Sequence, residues 1–458
     1  MLLSYIYIDV YVFNYINWLM KSEEKFGVFI LNVVKEFYNG VLLPNNKIQT
    51  NEWSVVSGIV LENNDEFKLI AFSNGTRALP NKHYFNKQFQ IFDCHSEILT
   101  VKSFQFFILK CLVFNLITHF NIKPCLSVLA QTEYEQFNKH KEFFSIFDFS
   151  DNKIHLKHTV HFHMYISSPP CGECSINDDV SYINNGAKLI EECLCHFTNN
   201  NERIKNDIAF RTKSIRSDYT KDILSLSLSC SDKLMIKNMI GFQGIVLSEL
   251  IDNVCMSSII ITNNKKVNEM QIVKGMNACK RNVNICLTYK EPNIIIIDES
   301  VFTTNNDHVI ECNDKNSQPF SIFYYYSLTI QKIDGSTGLK CGSRTNNINI
   351  LDKLRPTISK YDLHLHFYNT LIFIQEHKLH LHFTFTYIHS LISRLQSIIL
   401  HNKTNTSVND NKLHLHDIIH SLIKTNSNYQ MKTLLYQTYP ILLRFHSIKH
   451  ELILKNNK

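Results

Sequence analysis

The sequence predicts an α/β fold, a layered sheet backed by helices with a further helical part at its C-terminal end. Three observations predict it. Short β-branched and aromatic runs recur at residues 53–61, 67–72, 160–166, 256–262, 292–298 and 320–329. Apolar residues at helical spacing fill 22–39 and 98–117 between them. With 44% hydrophobic and 19% charged residues, the 458-residue chain can bury a sizeable core, and a wholly disordered chain is excluded.

Residues 1–21 are apolar and aromatic, but Asp9, Asn14 and Asn17 interrupt them and no Lys or Arg precedes them. They read as an N-terminal extension rather than a membrane span. Residues 22–39 form an amphipathic helix with Phe26, Phe29, Ile30, Val33, Val34 and Phe37 on one face. The runs 53–61 and 67–72 are joined by a polar stretch at 62–66, which predicts a hairpin. Residues 74–77 (Asn-Gly-Thr-Arg) then make a turn.

The stretch 98–117 is apolar on nearly every side and predicts a buried helix. At 160–166, Phe162, Met164 and Ile166 share one face of a strand, with a helix start expected after Cys171. Residues 198–206 and 303–317 are Asn-rich loops. The runs 256–262, 292–298 and 320–329 are further strands, and 335–342 is a Gly-rich bend. The last third is helical, broken by a polar insertion at 401–411.

An excess of 47 Lys+Arg over 41 Asp+Glu gives only +6, so no strong field surrounds the whole molecule, though a local basic groove is compatible with it. Thirteen Cys without framework spacing, and no cleavable signal, point to reduced thiols in the nucleus and/or cytoplasm. The sequons at Asn402 and Asn405 therefore carry no meaning. Three Leu-His-Leu-His repeats, starting at Leu363, Leu379 and Leu413, have no matching Cys or carboxylate cluster and read as compositional drift around amphipathic helices.

Two motifs carry chemistry. Asp93-Cys94-His95-Ser96-Glu97 is followed downstream by Pro169-Pro170-Cys171-Gly172-Glu173-Cys174. Either half alone is common. Together, His-x-Glu and Pro-Cys-x-x-Cys form the pattern with which zinc-dependent nucleobase deaminases hold their metal. One imidazole and two thiolates leave a fourth position for water, whose pKa the metal lowers. Glu97 is not a ligand in this reading and carries protons instead. By spacing alone Cys174 is the second thiolate.

A third block, Ser227-Leu-Ser-Cys230-Ser-Asp-Lys233 followed by Asn238-Met-Ile-Gly241-Phe-Gln-Gly244, makes the likeness more specific. With Asn51-Glu-Trp53, Gly75-Thr76, Arg211-Thr-Lys213 with Arg216 and Asp218, and Ile358-Ser-Lys360 in the same order, the chain resembles the adenosine deaminases that act on RNA. Among these it resembles most the tRNA-specific group that makes inosine immediately 3′ of the anticodon. The likeness runs from about residue 37 to 367.

The resemblance implies a cytidine-deaminase-like layered sheet in one catalytic domain, 22–458, with Asn-rich insertions and a divergent C-terminal helical part from about 355. It implies zinc ligands His95, Cys171 and Cys230, in place of Cys174, with Glu97 as proton shuttle. Thr76 and Arg77 are expected against the ribose and phosphate of the target nucleotide. A buried inositol hexakisphosphate is expected on Lys102, Lys233 and Lys360, with Asp93 and Lys213 relaying between it and the metal.

The chain departs from that pattern at Val101, where a basic residue is usual, at Ile236-Lys237, and at Tyr429, Lys432 and Tyr436. The implied partner is tRNA, with neither DNA nor a membrane expected, and the oligomeric state is left open. The absence of a double-stranded-RNA-binding module before the catalytic part favours tRNA over long duplex RNA. Deamination of other structured or double-stranded RNA, and RNA binding without catalysis, are the rival readings. The second has against it that Glu97 and every ligand are kept.

Overall fold

The computed structural model describes residues 23–42, 52–79, 89–124, 127–149, 154–176, 187–189, 211–213, 227–248, 250–264, 267–277, 291–298, 316–326, 330–342, 351–377 and 379. The stretch 1–21, the loop at 198–206, nearly all of 303–317, the insertion at 401–411, the last His repeat, Arg216, Asp218, Tyr429, Lys432 and Tyr436 lie outside the described residues.

Seven strands make one mixed sheet: β1 (Val56–Asn63), β2 (Glu66–Asn74), β3 (Val160–Ile166), β4 (Ser258–Thr262), β5 (Asn293–Ile297), β6 (Phe320–Tyr325) and β7 (Gln331–Asp334). Their spatial order is β5-β4-β3-β1-β2-β6-β7. β3, β4 and β5 run parallel, and the other pairings are antiparallel. The hairpin predicted at 62–66 is the β1–β2 connection. Asn64 and Asp65 take φ of 52° and 63°, the left-handed geometry that a tight two-residue turn needs and that Asn and Asp tolerate best among residues with a Cβ.

The principal helices are α1 (Glu23–Phe37), α2 (Ser96–His119), α3 (Cys230–Ile240), α4 (Glu269–Met276) and α5 (Lys360–Glu376). Strand alternation decides which layer each side chain joins. Val60, Phe72, Tyr165, Ile260 and Ile295 pack with Ile30 and Val34 of α1, whereas Ile59, Leu61, Phe162, Met164 and Ile259 pack with α2 on the other face. The sheet thus lies between a helix on each side. No helix among the described residues is long and apolar enough to cross a membrane.

α2 is enclosed on nearly every side, so its polar side chains need partners inside the protein. Lys110 meets Glu133 at 3.0 Å. Asn115 donates to the carbonyls of Phe144 (2.7 Å) and Cys111 (2.8 Å) and accepts from the Phe147 amide (3.3 Å). Asn115→Ala removes three hydrogen bonds to backbone groups and should cost about 2–4 kcal/mol. A lower urea midpoint at unchanged m-value is the expected result.

Three local expectations are revised. After Gly75 (φ 145°) the chain does not simply turn: Thr76–Ala78 pairs antiparallel with Asp93–His95. After Cys171 there is a single 3-10 turn, Glu173–Ser175, which starts behind Gly172 at φ 99° and ends where Ile176 takes extended backbone angles. Within the described part of the run 320–329, the strand covers Phe320–Tyr325 and Tyr326 already lies in a turn.

Candidate active site

Three elements deliver the donor atoms. His95 ends the short strand Asp93–His95 and is the N-cap of α2, which puts Glu97 in that helix's first turn. Cys171 follows β3, and Cys230 opens α3 behind Ser229, whose hydroxyl accepts from the Asp232 amide at 3.2 Å. The Nδ1 of His95 lies 3.5 Å from the Cys230 Sγ and 3.9 Å from the Cys171 Sγ, and all three donors fall within 4.8 Å of one another. One imidazole and two thiols at that separation suit a tetrahedral zinc with one position left open.

Cys174 points elsewhere. Its thiol donates to the Ile272 carbonyl at 3.4 Å and is covered by α4, where a Cβ on Gly275 would come within 2.5 Å of the sulfur. Two more glycines make the convergence possible. A Cβ on Gly172 would meet the Ser229 hydroxyl at 2.3 Å, and one on Gly75 would meet the Cys94 carbonyl at 2.1 Å. Gly172→Ala should therefore push the Cys171 loop away from α3. We expect a measurable loss of metal-binding capacity from a protein whose far-ultraviolet circular dichroism is unchanged.

The charges around the donors are arranged in layers. The Cys171 thiol is held well below its usual range, first by the Cys230 thiol that donates to it and further by Lys213 and His95. Burial and the neighbouring Cys171 push Cys230 upward. Lys213 donates to the Cys230 Sγ at 3.1 Å and to Asp93 at 2.7 Å. Burial opposes the Lys213 ammonium, but Asp93, both cysteines and Glu97 outweigh it and keep it protonated. Burial likewise opposes the Asp93 carboxylate, and Lys213, Lys233 and His95 overcome it. Lys233 and Ser227 complete the shell by donating to the second oxygen of Asp93. Glu97 is buried, accepts from the Ser96 hydroxyl at 3.2 Å, and is near enough to act on both Cys230 and Lys213.

Beyond Asp93 lies a cluster of cations. Lys102, Lys233 and Lys237 are half-buried, and Lys360 is the first residue of α5. Burial lowers Lys102 to about 7, helped by Lys360, Lys233 and Lys237, and burial lowers Lys237 to about 8. His364, from the first of the His repeats, is lowered to about 4 by burial and by Lys360 and Lys102, and its buried Nδ1 has no hydrogen-bond partner among the described residues. An orphaned buried nitrogen among crowded lysines is the donor set a multivalent anion would satisfy, so these residues fit the expected polyphosphate.

Thr76 sits opposite His95 in the short ladder, beside the donors. Arg77 is tied down: its Nε donates to the Gln318 carbonyl at 3.0 Å, and Gly335 packs against its side chain. Sequence reasoning named His95, Glu97, Cys171, Cys230, Asp93, Lys213, Lys102, Lys233 and Lys360; the structure brings the first six and Lys233 together around the donors, and Lys102 lies near enough to Lys233 and Lys360 for their charges to act on it. It missed Ser227, Lys237 and His364, and it missed Glu173, Arg211 and Gln271 as a group. His364 had a signal, since the repeat directly follows the Ile-Ser-Lys motif.

The Adenosine-deaminase (editase) domain model matches residues 71–406. The chain belongs to this family. The editase-domain chain is 24% identical over 215 residues to a double-stranded RNA-specific editase B2 of Mus musculus, covering 45% of this chain and 26% of that one. It is 26% identical over 227 residues to a tRNA-specific adenosine deaminase 1 of Drosophila melanogaster, covering 46% and 48%. To the Saccharomyces cerevisiae protein of the same name it is 24% identical over 274 residues, covering 53% and 60%. The matched part of this editase domain thus spans between about a quarter and three-fifths of those relatives.

Proposed function

We propose that this editase domain deaminates adenosine to inosine in tRNA, at the adenosine immediately 3′ of the anticodon, with zinc held by His95, Cys171 and Cys230. The observation that carries the reading is the convergence of these three donors beside a buried Glu97 in a chain of this family. A layered sheet of the cytidine-deaminase kind, with the donors at strand ends and helix starts, is the architecture that goes with it.

Zinc held by His95, Cys171 and Cys230 would supply a Lewis acid that brings the pKa of a water bound to it towards neutrality. The protein's own groups do the rest. Glu97 would move the protons: its carboxylate would take one from the attacking water and give it to N1 of the adenine as the oxygen bonds to C6, and a second transfer to the amino group would let ammonia leave. Lys213 offsets negative charge on Cys230, and Asp93 holds Lys213 in place. Because C6 lies within the base stack, an unpaired loop nucleotide is reached at least cost.

The test is to incubate the purified chain with unmodified tRNA transcripts and, separately, duplex RNA, and to read A-to-G changes by sequencing. Conversion next to the anticodon is expected. Conversion confined to duplex RNA would move the substrate to that class, and none in either would defeat the reading.

Lys102, Lys233 and Lys360 would hold inositol hexakisphosphate, with Lys237 and His364 beside them. The lowered Lys102 and Lys237 mean that the unfolded chain binds more protons between about 7 and the ordinary lysine value of 10.5. Anion-free protein therefore gains stability as pH rises through that window, and binding a polyanion takes up protons. Added inositol hexakisphosphate should raise the melting temperature of anion-stripped protein more at about pH 6.5 than at about pH 9. An equal shift at both would contradict this.

A further inference from the structure

We infer that Glu173 and Arg211 are positioning residues for the metal-binding thiols: their buried ion pair ties the Cys171 loop to the short strand that carries Lys213. The inference rests on the proposal that His95, Cys171 and Cys230 hold zinc.

The Cys171 loop has little structure of its own. Two prolines precede the cysteine, a left-handed glycine follows it, and one 3-10 turn ends it. On the Cys230 side it is held by Ser231, whose amide and hydroxyl both donate to the Cys171 carbonyl, at 3.1 and 2.8 Å. The second attachment is Glu173. Its carboxylate accepts from the Arg211 Nε at 3.1 Å, and the Gln271 amide reaches from α4 to the Glu173 carbonyl (2.9 Å) and carboxylate (3.2 Å).

Arg211 is itself fixed in register with the Cys230 segment. Its amide donates to Asp232 at 2.8 Å and its carbonyl accepts from the Ser229 amide at 2.8 Å, while the Lys213 amide donates to the Ser227 carbonyl at 2.9 Å. One three-residue strand, Arg211–Lys213, thus grips the Cys171 loop at one end and supports Cys230 through Lys213 at the other. Both ion-pair side chains are nearly buried, at 9% and 12% exposure. Breaking a pair so enclosed from one side leaves a buried charge without its partner, so the variants are compared with one another and with the double variant. Moving Glu173 would change the separation of the two sulfurs while leaving every donor in the chain.

The test uses the 458-residue chain loaded with zinc or with cobalt(II). Glu173→Gln keeps the shape and the Gln271 contact, Arg211→Met removes the charge, and Arg211→Lys restores it. Zinc affinity, read by chelator competition, should fall about ten- to hundredfold in Glu173→Gln and Arg211→Met, with partial recovery in Arg211→Lys. The visible cobalt bands should shift, and the double variant should be no worse than the worse single one. Should Arg211→Met fail to fold, Glu173→Gln carries the test alone. Folded variants with wild-type zinc affinity and wild-type cobalt spectra would overturn the positioning role and leave the metal site standing. A wild-type protein that binds neither metal would overturn the site, and the inference with it.

Discussion

Glu97→Gln should lower the rate of inosine formation by about a thousandfold, within the range that positioned acid–base groups contribute, and leave zinc in place. The carboxylate is buried in the first turn of α2, beside the donors but outside the trio of metal-reaching atoms. Gln preserves its volume and its ability to accept from Ser96, so neither folding nor the metal should suffer. What it cannot do is take a proton from water and return it to the ring. Equal metal content in the two proteins, measured by atomic absorption, together with single-turnover rates, checks both halves. A variant that loses zinc would make Glu97 a ligand, and one that keeps its rate would remove it from the chemistry.

Cys230→Ser should abolish both bound zinc and activity, whereas Cys174→Ser should keep the zinc. The two cysteines compete for the same role in the sequence. The Cys230 Sγ lies 3.5 Å from the His95 Nδ1 and receives Lys213, while the Cys174 Sγ is turned into the contact with α4. Four protein ligands would close the open position, so both thiols cannot serve a working site. Cys174→Ser places a hydroxyl in an apolar niche that still offers the Ile272 carbonyl, so a stability cost of about 1 kcal/mol is expected without loss of metal. The opposite pattern of zinc content would transfer the ligand to Cys174.

These two residues also mark how much was legible in the sequence. His95 and Glu97 could be read from local spacing, two residues apart where a strand ends and a helix starts, and Cys171, 76 residues on, from its own Pro-Cys-x-x-Cys motif. Cys230 could not. It lies 59 residues from Cys171, and only the resemblance carried by Ser-Cys-Ser-Asp-Lys singled it out over the nearer Cys174. The strands read well because Ile and Val runs bounded by Asn and Pro have few other uses. α3 and α4 went unassigned because their apolar stripes are short and broken by Lys, with Asn in α3 and Gln in α4.

The clustering of Lys237 and His364 with Lys102 was invisible for a different reason. A lysine in a helix reads as a solvated charge until tertiary packing turns it inward. Likewise the turn expected at 74–77 became half a ladder, since pairing of Thr76 with His95 depends on a partner strand that local sequence does not reveal.

The most direct test of the central claim is isotopic. The 458-residue chain with zinc bound is incubated with adenosine-containing tRNA transcript in water enriched in oxygen-18, and the digested nucleosides are analysed by mass spectrometry. Hydrolysis at a site built from His95, Cys171, Cys230 and Glu97 predicts inosine carrying one solvent oxygen, matched by released ammonia, with none from protein stripped of zinc and recovery when zinc is returned. Inosine without the heavy oxygen, or undiminished inosine from stripped protein, would contradict it.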